Sequence, residues 1–273
     1  MATPATPALP LAGRTAVVTG VSRRRGIGFA VAARLASMGA SLFVHHFAPH
    51  DAEQPWGADS TDEVLARLRG SLTEGARLAE ASVDLAADDG AHRLIERANA
   101  ELGHLDVLVC NHARSGGDGP LDAQSVETLD AHWRVNARAT LLATQAFAAQ
   151  HDGRAGGRVV WFTSGQLAGP MPREIAYATS KAALAGMTAS VADWLVERGI
   201  VLNTVNPGPV DTGYLDVETA DRPPEVLESV LAHFPGGRFG EPDDPARLVA
   251  WLVSDEGRWV VGQVISTEGG FRR

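Results

Sequence analysis

Residues 15–28 read Thr-Ala-Val-Val-Thr-Gly-Val-Ser-Arg-Arg-Arg-Gly-Ile-Gly, and this stretch decides the fold. Thr15 to Val18 is a short, β-branched run of the kind that forms a buried strand. Phe29 to Met38 carries apolar residues at helical spacing. Between them lies a glycine-rich turn. Strand, glycine turn and helix together make the context in which such a turn binds a dinucleotide. Glycines let the backbone approach a pyrophosphate, and the helix N-terminus favours its negative charge. A plain strand-to-helix turn would carry the same local signals, so the rest of the chain has to decide between them.

Outward from this turn, strand-like and helix-like runs alternate along the length. Strands are expected near Thr15–Thr19, Ser41–His45, Ala81–Asp84, Asp106–Cys110, Arg158–Thr163, Val201–Asn206 and Gly262–Ser266. This predicts an α/β fold: one doubly wound, Rossmann-type parallel sheet of about seven strands with helices on both faces. Residues 1–12 are expected to be a flexible tail and residues 13–273 a single dinucleotide-binding catalytic domain. Ser60-Thr61-Asp62-Glu63 reads as a capping box ahead of Val64, Leu65 and Leu68. Phe47 to Asp59 is longer than a usual strand-to-helix link and reads as a solvated surface insertion.

Composition narrows the function. The 273 residues suffice for one large domain, and 45% hydrophobic with 21% charged residues is ordinary for a globular protein. A net charge of −9 argues against nucleic acid or an anionic membrane surface as a partner. No apolar stretch is long enough to span a bilayer. The first ten residues lack the basic start and apolar core of a secretory signal, so a cytoplasmic location is expected. Cys110, the only cysteine, ends an apolar run and reads as a buried small residue. His45, His46 and His50 lack the spacing of a metal site, and no metal is expected.

The chemistry is carried by Tyr177-Ala-Thr-Ser-Lys181. Four residues apart on a helix, the phenol and the ammonium share one face. A nearby cation favours the phenolate, so Lys181 is expected to lower the Tyr177 pKa. Ser164 stands thirteen residues upstream of Tyr177, just after the run Arg158 to Phe162.

Taken with the glycine turn, these residues resemble the Tyr-x-x-x-Lys branch of the short-chain dehydrogenase/reductase family, from about Gly13 to Gly270. Further family landmarks follow in order: Asp84-Leu85, Asn111-His112-Ala113, Asn136 in Trp-Arg-Val-Asn, Asn206 to Thr212, and Glu268-Gly269-Gly270. The nearest general resemblance is to the 3-oxoacyl-carrier-protein reductase-like group. It implies hydride transfer between a nicotinamide and a ketone or secondary alcohol. Tyr177 would be the general acid/base, Ser164 the partner of the substrate oxygen, Lys181 the tuning and ribose-binding cation, and Asn136 the holder of a helix irregularity and a proton-relaying water. Gly20, Ser22, Arg23, Gly26, Ile27 and Gly28 would surround the phosphates. Asp84 and Leu85 would meet the adenine, and Asn111 and Ala113 the adenosine ribose side. Pro207, Gly208, Val210 and Thr212 would flank the nicotinamide. Family enoyl reductases use a wider Tyr–Lys spacing, and family halohydrin dehalogenases replace the lysine with arginine.

This chain departs from the family pattern in two places. Five residues, Val21 to Arg25, separate the first two glycines of the turn where the family has three, so the turn must bulge. Arg114 replaces the glycine that usually follows Asn-x-Ala, and either an acidic group on the substrate or solvent would suit it. At the second strand end, where an NAD enzyme carries an acid, stands His46. With no carboxylate there and Arg23 to Arg25 nearby, NADP(H) is the expected cofactor, with NAD(H) the alternative. The alternative functions are an NAD-dependent alcohol dehydrogenase running oxidatively and a non-catalytic dinucleotide sensor. Helices near 125–150 and 176–197 are rich in small residues, and related enzymes pair these helices. A homo-oligomer, tetramer or dimer, is therefore expected.

Overall fold

The computed structural model describes residues 9–220 and 223–272. Seven strands form one sheet: β1 (Thr15–Val18), β2 (Ser41–His46), β3 (Leu78–Ser82), β4 (Val107–Cys110), β5 (Gly157–Phe162), β6 (Ile200–Asn206) and β7 (Val264–Ser266). All pairings are parallel, in the order β3-β2-β1-β4-β5-β6-β7. The order reverses between β1 and β4. A crevice opens at that point beyond the carboxyl ends of the strands, where ligands of such sheets bind.

Both faces of the sheet are covered, so its central strands read as unbroken apolar runs. Ala16, Val18, Leu42 and Val44 point to one face, against Val31 and Leu35 of α1 (Ile27–Ser37) and Val249 and Val253 near the chain's end. Val17, Phe43, Leu108 and Trp161 point to the other, as the two-residue period of a strand requires. The remaining helices are α2 (Ala48–Ala52), α3 (Thr61–Arg69), α4 (Gly90–Leu102), α5 (Val126–His132), α6 (Ala139–Gln150), α7 (Ile175–Val196), α8 (Pro224–Ala232) and α9 (Asp243–Val253). A π-helical segment, Trp133–Arg138, joins α5 to α6.

Three local expectations are corrected. β3 begins and ends earlier than expected, because Leu78 to Ser82 register with Leu42 to His46. Its half-exposed side chains at the sheet edge hid it from an apolar pattern. Ser60 does precede α3, but its side chain makes no cap hydrogen bond, and Glu63 turns instead to Arg24 at 2.7 Å. The Phe47–Asp59 insertion is not simply solvated. It contains α2 and folds back onto the glycine turn through Asp51 and Asp59, which hold Arg23 and Arg24. Within the stretch expected to be a tail, residues 1–8 lie outside the described residues. Leu11 is fully buried, and its N–H donates to Met38 O.

Candidate active site

The glycine turn is fixed from beneath. The Asn111 amide donates to Thr19 O and Gly20 O at 3.2 and 3.1 Å, so its side chain is committed to the turn. Gly20 has φ +72°, and a Cβ there would lie 2.9 Å from Asn111 Nδ2 and His112 Cα. At Gly28 a Cβ would meet Gly20 O at 2.3 Å, so α1 must cross the turn without a side chain at that point. Two buried histidines complete the support. Gly20 N–H donates to His45 Nδ1 at 3.2 Å, while His45 Nε2 bonds Val83 O at 2.8 Å. His112 Nδ1 meets Thr19 Oγ1 at 2.7 Å, and its Nε2 meets Val135 O at 3.1 Å. Burial holds His45 down to about 4 and His112 well below its usual range, so both rings are neutral.

The turn fits a dinucleotide phosphate. α1 opens at Gly26 with no side-chain cap and no acidic residue in its first turn. Its first N–H groups are therefore left to an anion. Ser22 Oγ is already engaged, accepting from Phe47 N at 3.2 Å and tying the turn to the end of β2. Asp84 is exposed after β3 beside buried Leu85, and Ala113, Pro207, Gly208 and Thr212 are partly exposed at the ends of β4 and β6. Val210 instead is buried and bridges to Gly240.

The charges around the turn differ from expectation. Arg23 bonds Asp51 at 3.1 Å and Thr212 O at 2.5 Å, with its guanidinium 5.4 Å from the Trp56 ring centroid. Arg24 holds Asp59 and Glu63, and Arg25 spans to Asp211 and Asp216 at 3.0 and 2.8 Å. His46 Nε2 lies 2.8 Å from Glu80 Oε2. Carboxylates are thus brought to the turn by the insertion and by the loop after β6, and the short helix α2 returns Asp51 to Arg23.

Across the crevice, Ser164 follows β5, and Tyr177 and Lys181 lie on one face of α7. Ser164 faces the Tyr177 hydroxyl closely enough to pull the phenol's pKa down. Lys181 is 2% exposed, donates to Phe162 O at 3.0 Å and sits 5.8 Å from the Tyr177 ring centroid. The expected direction for the phenol is corrected: burial pushes Tyr177 up to about 12, opposed by Ser164, and the ammonium does not reverse it. Burial also brings Lys181 down to about 8. Cys110 beside it is a buried thiol pushed up to about 12, which makes it no nucleophile.

Asn136 lies in the π-helical segment and is fully buried. Its Oδ1 accepts from Arg114 N at 2.6 Å, while its Nδ2 donates to Arg114 O at 3.1 Å and Ser180 Oγ at 2.9 Å. Ser180 in turn donates to Tyr177 O at 2.7 Å. The structure therefore gathers Asn136, Ser164, Tyr177 and Lys181 around one end of the crevice. Sequence reasoning missed one residue of this frame. Asp118 accepts from Ala176 N at 3.1 Å and Tyr177 N at 2.7 Å, and also from Gly119 N and Gln124 Nε2. It caps α7 from a distant loop, and only a cap-type residue with no helix behind it hinted at that.

A family model described as Enoyl-(Acyl carrier protein) reductase matches residues 20–272. The uncharacterized oxidoreductase YjdA of Bacillus subtilis is 36% identical over 264 residues, covering 95% of this chain and 97% of that one. The chain is a short-chain dehydrogenase/reductase. Among other members, the NADPH-dependent aldehyde reductase-like protein of Arabidopsis thaliana chloroplasts is 34% identical, covering 97% and 96%. The crystal structure of the angucycline C-6 ketoreductase LanV with bound NADP aligns with a TM-score of 0.81 at 30% identity, covering 96% of each chain. This short-chain dehydrogenase/reductase is accordingly an NAD(P)-dependent oxidoreductase. Among the described residues no helix is long and apolar enough to cross a membrane.

Proposed function

We propose that this short-chain dehydrogenase/reductase is an NADPH-dependent carbonyl reductase. The observation that carries the reading is that Tyr177 and a buried Lys181 share one face of α7, with Ser164 facing the phenol. The nicotinamide, when bound, supplies the hydride. Tyr177 donates its phenolic proton to the carbonyl oxygen as negative charge builds there, and Ser164 hydrogen-bonds the same oxygen. A phenol held at about 12 is protonated at neutral pH, the form that donates a proton in reduction. Lys181, mostly cationic at neutral pH, stabilises the charge left on the phenol oxygen and reaches the ribose side. Asn136 holds the irregular helix turn against the backbone of Arg114.

NADPH is preferred in this reading because the end of β2 carries His46 where an NAD enzyme carries an acid. A relative named for NADPH and a neighbour with bound NADP support it. NAD(H) is the second reading, and one observation favours it: the Glu80 carboxylate lies on His46. Comparing kcat/KM for NADPH and NADH on one accepted ketone decides between them.

The catalytic assignment is tested with Tyr177→Phe, which keeps the ring and removes the proton. NADPH binding, followed by fluorescence, is expected to stay near wild type. Turnover is expected to fall roughly 10²-fold or more. Wild-type turnover in this variant would mean that the acid is elsewhere.

A further inference from the structure

The arginine that replaces a family glycine behaves unlike the arginines of the turn. Arg23, Arg24 and Arg25 each hold at least one carboxylate. Arg114 holds none among the described residues, and its Nε is buried without a hydrogen-bond partner. A buried N–H without a partner costs stability, because its lost hydration is not replaced. Its main chain is clamped on both sides by Asn136, so the side chain is positioned at a rigid point.

The surroundings of Arg114 place its loop against the segment that follows β2. A Cβ at Gly117 would lie 4.0 Å from Arg114 Nη2, and one at Gly116 would meet Gln54 Oε1 at 2.7 Å. The loop after β4 is thus in contact with the segment after β2, across the top of β1. His50 of α2 lies there too. Burial, and behind it the charges of Arg114 and Arg23, hold its imidazole below the usual range against the pull of Asp51 and Glu53. Arg114 and Arg23 thus both lie within electrostatic reach of His50, where Asp51 and Glu53 are the carboxylates that oppose them.

We propose that Arg114, beside Arg23 and His50, is an anion-binding residue for a phosphate group of the dinucleotide. The inference rests on the dinucleotide-binding reading above but not on the choice between NADPH and NADH. Arg23 is largely committed to Asp51 and Thr212 O, so Arg114 supplies the donors that remain. A phosphate fits this group better than a ketone, because a planar guanidinium offers paired donors to an anion.

The test is Arg114→Gln in the full chain, titrated without substrate by cofactor fluorescence, with thermal melting alongside. Binding is expected to weaken tenfold or more, the scale of a hydrogen bond to a charged group. Loss for NADPH alone assigns the contact to the 2′-phosphate, and equal loss for NADPH and NADH assigns it to the diphosphate. The melting point without cofactor is expected to stay or rise, since no partner is lost, while the upshift on adding cofactor shrinks. Arg114→Lys should recover part of the affinity. Unchanged binding of both cofactors overturns the proposal. So does a lower melting point without cofactor, because the side chain would then be structural. A wild type that prefers NADH would refute the NADPH reading alone.

Discussion

Acidification should loosen the nucleotide turn before any carboxylate titrates, because of the histidines beneath it. His45 is neutral in the fold at about 4 and near 6.5 when the chain is unfolded. A group whose folded pKa is depressed in this way binds its proton in the unfolded chain first. Its contribution is therefore complete above about pH 6.5 and is lost as pH falls toward 4. At 1.36 kcal/mol per unit, His45 alone removes about 2 kcal/mol between pH 7 and pH 5, and about 3 kcal/mol at the acid limit. His112, depressed by burial, tilts stability in the same direction. The perturbation is His45→Asn, which retains an acceptor for Gly20 N–H but not the bond to Val83 O. Urea unfolding followed by tryptophan fluorescence, at pH 7.5 and pH 5 and one protein concentration, is the assay. The variant should be less stable at pH 7.5 by roughly 1–3 kcal/mol, the cost of an unpaired buried carbonyl and lost packing. Its deficit should shrink by about 2 kcal/mol at pH 5, because the titrating ring is gone. A deficit that is the same at both pH values would refute the reasoning, for it would mean that His45 does not stay neutral in the fold.

Other positions give shorter tests. Gly28→Ala should lose roughly 1–3 kcal/mol of stability, since its methyl would overlap Gly20 O and Asn111 Nδ2; an unchanged melting curve would show that α1 can shift. Asp118→Ala should lower kcat more than it raises KM, because it frees the N-terminal turn that carries Tyr177, and Asp118→Asn should recover part of the loss. Equal kcat in all three proteins would remove Asp118 from the frame. An assembly through α5 and α7 should bury Trp133, Met187 and Trp194, which are each over 40% exposed in the single chain; a monomer at micromolar concentration by light scattering would contradict that arrangement.

The fold was legible because its signals are local. β-branched runs, the glycine turn and the four-residue Tyr–Lys spacing each reflect a neighbourhood of a few residues. The grouping of Asn136, Ser164, Tyr177 and Lys181 at one end of the sheet was legible for the same reason, and Asn136 lies in an irregular helix turn. What escaped the sequence is non-local. Asp51, Asp59, Asp211 and Asp216 reach the turn only through chain reversals that no periodicity encodes. Asp118 caps a helix that begins 57 residues later, at Ile175. Glu63 fits a capping box by spacing, yet a cation from another loop competes successfully for it. The phenol was misjudged because spacing reports a neighbouring charge but not the loss of water around it.

The two sides of the crevice are fastened in different ways. Tyr177 and Asn136 are joined by hydrogen bonds to main-chain groups, which ionic strength barely touches. The loop after β6 is joined to the glycine turn by the Arg23 bond to Thr212 O and by exposed Arg25 with its two aspartates, the part that salt screens readily. Rising salt is therefore expected to weaken the ionic part of this seam while the main-chain bonds around Tyr177 and Asn136 hold.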